Sequence, residues 1–427
     1  MMVYLFPFTS KFLFLAAIIF FLIRIFNSGN KKDEVLLAAG YIVGFEVFSR
    51  MTGGAFSYEF AKYAVILFLS VGMFFKGFNR NSWVYILYLF FLIPGILFSA
   101  INLDYETNVG NAVAFNLSGP ICLGISALYC YNRKITMARL QEILLAVLLP
   151  IISMTLYLYV YTPNIGDVLT GTQSNFAASG GFGPNQVATI LGLGMFILFA
   201  RLFTIKNLFV NSIDVVLLAF LSYRGIVTFS RGGIITAAVC AIAFFVIYFL
   251  KSGSKERVAL IPNLGIVIVV MFCTWIFISF STSGLIDKRY ANQDASGREK
   301  QDITSGRTEL LNSELEAFKE NPITGIGIGK MKEYRLASTG RLSASHNELS
   351  RLLSEHGVFG FFALVILILT PLVLRFKFRN NLYFYSFLIF WFLTINHSSM
   401  RIAAPAFIYG LALITLVNAK KNPLHRK

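Results

Sequence analysis

Long apolar runs alternate with short polar stretches along almost the whole chain. A helix of about 20 apolar residues spans a hydrocarbon core roughly 30 Å thick. By that rule the pattern predicts thirteen spans, at 10–26, 34–49, 60–75, 83–101, 111–130, 140–160, 185–204, 211–226, 232–250, 258–281, 357–374, 382–397 and 402–418. Twelve remain if the first run lies in the interface. That run starts late and has no small-x-small pattern before the next one, so it is expected to stay rather than be removed as a signal. The expected fold class is all-α. It is a polytopic transmembrane bundle of 12–13 helices, forming one integral membrane domain over 1–427.

Charge gives the bundle an orientation. Only 14% of the 427 residues are charged, yet the net charge is +16. In a soluble protein that excess would suggest nucleic acid. Here the basic residues fall in alternating loops: Lys31 and Lys32, Lys76 and Arg80, Arg133 to Arg139, Arg201 and Lys206, Lys251 to Arg257, Arg375 to Arg379, and the tail Lys420 to Lys427. Loops 102–110 and 161–183 hold no Lys or Arg. This is the positive-inside pattern. It predicts a cytoplasmic C-terminus and an outer-face loop at 282–345, with the basic charge meeting lipid and no nucleic-acid partner. Cys122, Cys130, Cys240 and Cys273 all sit in apolar runs and have no metal-ligand spacing.

The 282–345 loop is much longer than an ordinary connection, and such loops tend to be functional or disordered. Within it, GRTELLNSELEAFKE at 306–320 places Leu311, Leu315 and Phe318 on one helical face. Ser305 is a candidate N-cap, and Asn321-Pro322 a stop. This amphipathic helix is expected to pack over the outer end of the bundle.

Three polar clusters need an explanation, because charge beside a membrane span is costly. Ser230-Arg231-Gly232-Gly233 opens a span, with Ser230 as its candidate cap. A helix N-terminus favours anions, and a guanidinium fork there suits phosphate. A snorkelling interfacial arginine explains the same residues, and Arg224 fits either account. Arg307 opens the loop helix, where a cation opposes the helix dipole. An ordinary surface arginine is the alternative. Ser345-His346-Asn347 stands where the loop re-enters a helix. His346, Ser350, Leu353, Gly357 and Gly360 share one stripe at helical spacing, which would let another helix or a lipid chain approach. His346 is either a proton-transfer group or an interfacial cap. His356, His397 and His425 have weaker claims. Gly325 to Met331, GIGIGKM, lacks the spacing of a phosphate loop and is expected to form a tight turn. No metal site and no cofactor are expected.

The motifs GFGPNQVA at 181–188, FSRGG at 229–233, SGRTELL at 305–311, NPITGIGIG at 321–329 and SHNELSRLLSEHGVFG at 345–360 together resemble the O-antigen ligase and polymerase superfamily. The resemblance covers 180–375 and is carried by the ordered set rather than by any one motif. It implies a bacterial inner-membrane glycosyltransferase with its site on the periplasmic face. The implied donor is a glycan on undecaprenyl diphosphate, and the implied acceptor a lipid A-core, another glycan, or a protein hydroxyl. His346 matches the family histidine, and Arg231 and Arg307 its two arginines. Asn347 also fits, with Ser345, Arg224 and Asn185 in supporting positions. The serine before the histidine and the acidic continuation at Glu348 and Glu355 are features of this sequence. On this reading the arginines grip the diphosphate and His346 acts as general base, giving metal-free inversion. A flippase for polyprenyl-linked sugars is the alternative. It would show repeats and a midplane cavity.

Overall fold

The computed structural model describes residues 2–300, 302, 306–340, 342–377 and 380–417. Ser305, Arg379, His425 and the basic tail lie outside that set. The chain folds as α1 (Met2–Leu5), α2 (Thr9–Ser28), α3 (Glu34–Met51), α4 (Phe60–Lys76), α5 (Trp83–Phe91), α6 (Ile93–Asn102), α7 (Val109–Cys130), α8 (Met137–Tyr161), α9 (Pro184–Thr204), α10 (Leu208–Ile226), α11 (Arg231–Lys251) and α12 (Ser254–Ser281). It continues through α13 (Leu285–Tyr290), α14 (Arg307–Glu320), α15 (Met331–Thr339), α16 (Glu348–His356), α17 (Val358–Lys377), α18 (Phe384–Ser398) and α19 (Ala404–Ala412). Each of the thirteen apolar stretches holds a helix, and the architecture is an all-α polytopic bundle.

Nine helical segments among the described residues are long and apolar enough to cross a membrane. α3, α4, α18 and α19 are not among them. α3 is instead nearly all buried, and its charges are paired: Glu46 bonds Arg50 at 2.5 Å and accepts from the Ala403 N–H at 2.6 Å. The 83–101 stretch divides in two at Leu92, where Pro94 opens α6. The last stretch is helical only to Ala412. Beyond it Thr415–Val417 (β2) pairs in parallel with Lys134–Thr136 (β1), a small departure from a purely helical fold.

Burial separates the helices. α9 is apolar all round and almost wholly buried, as a central helix should be. It packs on α8, α10 and α11. α12 is equally apolar but mostly exposed, so its surface suits lipid. Its 28 residues extend about 42 Å.

The loops sort to two ends. At one, Asp33 bridges Lys76 at 3.0 Å and Arg133 at 3.3 Å, and the Asn132 N–H reaches Leu413 O at 2.9 Å. Three of the basic loops thus converge with the chain's last strand. At the other end lie the 162–183 loop and helices α13 to α16. There Thr172 Oγ1 donates to Gln293 O at 2.8 Å, tying the two irregular regions together.

α14 covers the expected 306–320 segment, beginning at Arg307 after Gly306 in the left-handed region. Its deepest face is not the predicted stripe. Ser313, Glu314 and Ala317 are buried, while Leu311, Leu315 and Phe318 are half-buried beside them. The reason is polar. Arg335 of α15 pairs with Glu314, and Glu314 also accepts from Ser350 of α16. The ion pair joins the two loop helices and Ser350 ties Glu314 to α16, where the apolar stripe was expected to lie on the bundle or at the lipid interface.

Candidate functional site

His346 sits just before α16, in non-helical backbone. Asn347 caps that helix, its Oδ1 accepting from Leu349 N at 2.9 Å and Ser350 N at 3.4 Å. The His346 carbonyl accepts from Ser399 N at 3.0 Å, and Asn347 Nδ2 donates to Asn396 Oδ1 at 3.1 Å. The histidine backbone is therefore held by both α16 and the turn after α18.

The predicted stripe below His346 is interrupted. Gly357 has φ +59 and ends α16, so α17 starts in a new direction. A Cβ at Gly357 would lie 2.5 Å from Ile323 O, and one at Gly360 would lie 1.9 Å from Leu352 O. These glycines admit the chain's own backbone, where a lipid chain or another helix was expected.

The intruding segment is Gly325 to Gly329, a buried strap that closes in the expected turn, with the Lys330 N–H donating to Gly327 O at 3.4 Å. Gly325, Gly327 and Gly329 all have positive φ. The N–H groups of Ile326, Gly327 and Ile328 donate to Ser354 O, Glu355 O and Gly95 O, and that of Gly329 to Glu355 Oε1 at 2.9 Å. Every amide a phosphate would need is already bonded to protein.

Two cavities meet at His346. One, of about 240 Å³, is lined by His346, Phe176, Asn185, Gln186, Ser398 and Arg401 among others. The second, of about 210 Å³, is lined by His346, Arg307, Thr308, Asn347 and Asn396 with part of α14. Both lie at the end of the bundle bearing the long loop.

The arginines at this end fall into two groups. Arg50, Arg335 and Arg351 are buried and each pairs with a carboxylate: Glu46, Glu314 and Glu348. Arg289, Arg307 and Arg401 form no carboxylate ion pair among the described residues. Burial lowers the pKa of Arg289, and the nearby charges of Arg231 and Arg307 lower it further. Burial and then Arg231 lower that of Arg307. His346 is pushed down to about 4, by burial first and then by Arg401, Arg307, Arg335 and His397. Like charges gathered this closely are stabilised by a bound anion.

Residues 215–365 match the family profile described as O-antigen ligase. This matched segment is about a third of the chain, and it supports the likeness to the O-antigen ligase and polymerase superfamily that the motifs carry. No curated protein and no solved structure matches it. Nine apolar helices long enough to cross a membrane, together with this family match, indicate a multi-pass membrane protein. The matched segment contains Arg231, Arg289, Arg307, His346 and Asn347, whereas Asn185 and Arg401 lie outside it.

Within the matched segment the FSRGG turn is shaped by close packing. A Cβ at Gly233 would lie 2.3 Å from the Ala188 backbone, and one at Gly232 would lie 2.5 Å from His397 Cδ2. Phe229 takes φ +59, rare for a bulky residue, and its carbonyl accepts from Arg289 Nε at 3.0 Å. Arg231 Nη1 reaches Arg289 O at 3.4 Å. Ser230 holds the N-cap position without capping. Its hydroxyl donates to Asn185 Oδ1 at 2.7 Å, which places Asn185 beside Arg231 in the fold.

Arg224 does not join this group. It is fully buried and donates to Thr162 O and Ala178 O, both at 3.2 Å, pinning the 162–183 loop. Ser345 is structural in its contacts: its carbonyl accepts from Arg401 Nη2 at 2.9 Å and its hydroxyl from Arg335 at 3.4 Å. Arg289 and Arg401, which the sequence did not single out, also lie at this end, as does His397, whose claim was weaker than that of His346. His397 bonds Thr189 Oγ1 at 3.3 Å and packs on Gly232. None of the three stands in a spacing pattern with His346; they arrive from separate elements.

Proposed function

We propose that the chain transfers a glycan from an undecaprenyl diphosphate carrier to an acceptor hydroxyl, with inversion and without a metal ion. The observation that carries this reading is the place of His346 at the junction of two cavities, one of them holding Arg307. Arg231, Arg307 and the newly found Arg289 would receive the diphosphate. The acceptor oxygen attacks the anomeric carbon, and the bond to the diphosphate oxygen breaks with its electron pair. The guanidinium groups stabilise the charge that develops on the leaving group. The acceptor proton passes to His346. Asn347 and Asn185 position the histidine turn and Ser230-Arg231 respectively. The positive-inside pattern supports a cytoplasmic basic end and C-terminus with the site outside, and the likeness to O-antigen ligase supports a bacterial inner membrane.

Diphosphate beside Arg307 offsets the arginine field and raises the basicity of the imidazole as the donor arrives. Base strength would thus be coupled to donor occupancy. Cavities at one end of the bundle, under a loop, favour transfer over transport through the midplane.

The test is reconstitution in liposomes with a lipid-linked oligosaccharide donor. His346→Ala should abolish transfer with the fold retained, and Arg231→Ala with Arg307→Ala should impair donor use. Full transfer by His346→Ala would remove the general base. Gene deletion then separates ligase from polymerase: complete carrier-linked chains accumulate in the first case, and long chains on the carrier disappear in the second.

A further inference from the structure

The cavity on the Arg401 side of His346 differs in origin from its neighbour. Apart from Asn396 and the shared His346, the Arg307 cavity is built from α14 and Asn347, inside the segment that matches the family. The Arg401 cavity is built from Ser174, Phe176, Gly183 to Gln186, Ser398 and Arg401, all outside that segment. The two cavities thus draw on different parts of the chain.

The second cavity also has its own chemistry. Arg401 is its arginine. Nη2 donates to Ser345 O, and the other guanidinium nitrogens make no hydrogen bond among the described residues. Nearby Glu46, Glu314 and Glu348 are committed to other arginines. Phe176, 63% exposed, offers a ring to the C–H face of a sugar. Gln186 is held rigidly by Arg50 at 3.0 Å and by Tyr58 at 2.9 Å, and Ser398 lies beside it on the cavity wall.

We propose that this cavity is the acceptor subsite and that it selects a sugar carrying an anionic substituent, a carboxylate or a phosphate, which Arg401 binds. The proposal rests on the transferase reading given above. In it, the acceptor ring packs on Phe176, its acid meets Arg401, and its hydroxyl points to His346. The donor diphosphate occupies the other cavity.

The test is saturation-transfer NMR on the full chain in nanodiscs, with methyl β-D-glucuronide, glucose 6-phosphate, methyl β-D-glucoside and geranyl diphosphate as probes. One acidic sugar should bind about tenfold tighter than the glucoside, and which one does so identifies the acid. Arg401→Gln should remove that preference, Arg401→Lys should keep it to within about threefold, and Phe176→Ala should weaken all three sugars. Arg307→Gln should weaken geranyl diphosphate alone. Equal binding of acidic and neutral sugars overturns the proposal. So does loss of geranyl diphosphate binding in Arg401→Gln, which would make Arg401 part of the donor clamp. If Arg401→Gln does not fold, the Lys and Phe176 variants decide. Failure of the transferase reading appears separately, as transfer by His346→Ala with sugar binding unchanged.

Discussion

Arg351 donates through Nη2 to the carbonyl oxygen of Asn116 at 2.9 Å, and this is the carbonyl that Pro120, four residues on, leaves without a helical donor. Nη1 of the same arginine reaches Asn116 Oδ1 at 2.5 Å, and Glu348 closes the group. A missing N–H in α7 thus becomes the socket that fixes α16, and with it His346. Arg351→Leu strands a buried carboxylate and should cost about 3–5 kcal/mol. Thermal unfolding in detergent measures this, and adding Glu348→Gln should recover part of the loss. An unchanged melting temperature would refute the role assigned to the pair.

The pH dependence follows from His346. With a pKa near 4, it is neutral at physiological pH. Transfer should be flat above about pH 6 and fall as the imidazole protonates through pH 4. Removing Arg401 or Arg307 removes a positive neighbour, so the acid limb should move upward in pH. The same shift affects stability. The folded pKa lies below the ordinary 6.5, so the unfolded chain takes up protons first. The stability His346 contributes is present above pH 6.5 and is lost as pH falls toward 4. A pH–rate profile with its limb unmoved in Arg401→Gln would contradict the electrostatic account.

Arg289 should behave as a donor-side residue. Arg289→Gln is expected to lower kcat/KM by roughly 10- to 1000-fold, the loss of one charge-assisted contact to a developing anion. Arg289→Lys should retain more activity, since the charge stays although the bond to Phe229 O is lost. Single-turnover transfer with a fixed donor distinguishes the two. Equal activity in all three proteins would exclude Arg289 from the clamp.

The paired glycines after Arg231 should differ sharply. Gly233→Ala sets a methyl group 2.3 Å from the backbone of Ala188, which cannot move without separating α9 from α11. Loss of folded protein is expected, with a cost of several kcal/mol by the scale of overpacking. Gly232→Ala meets the His397 ring instead, a side chain and not backbone. It should fold and lose activity in part. Size-exclusion profiles and transfer assays on both variants report the difference.

Much of this architecture was legible in the sequence. Twenty-residue apolar runs have one stable solution in lipid, so every stretch became helical. The alternation of basic loops anticipated the gathering of Asp33, Lys76 and Arg133 at one end. The order of the motifs anticipated the family. Other features were hidden for a physical reason. Hydropathy treats Glu46 and Arg50 as interruptions, although burial of the pair makes α3 a core helix. Helical spacing carried the stripe from His346 to Gly360 as one face, because periodicity does not register the left-handed turn at Gly357.

The sequence by itself determined the helical bundle, its charge asymmetry and the residues that could bind anions or accept protons. Those follow from local composition and periodicity. Only the tertiary structure decided which arginines are taken up by other groups of the chain. Arg224, Arg335 and Arg351 are consumed by carbonyls and carboxylates, whereas Arg401 arrives beside His346 from the turn after α18, and Arg289 beside Arg231 from α13. Pairing is a property of contacts between elements far apart in the chain, and no spacing along the chain encodes it.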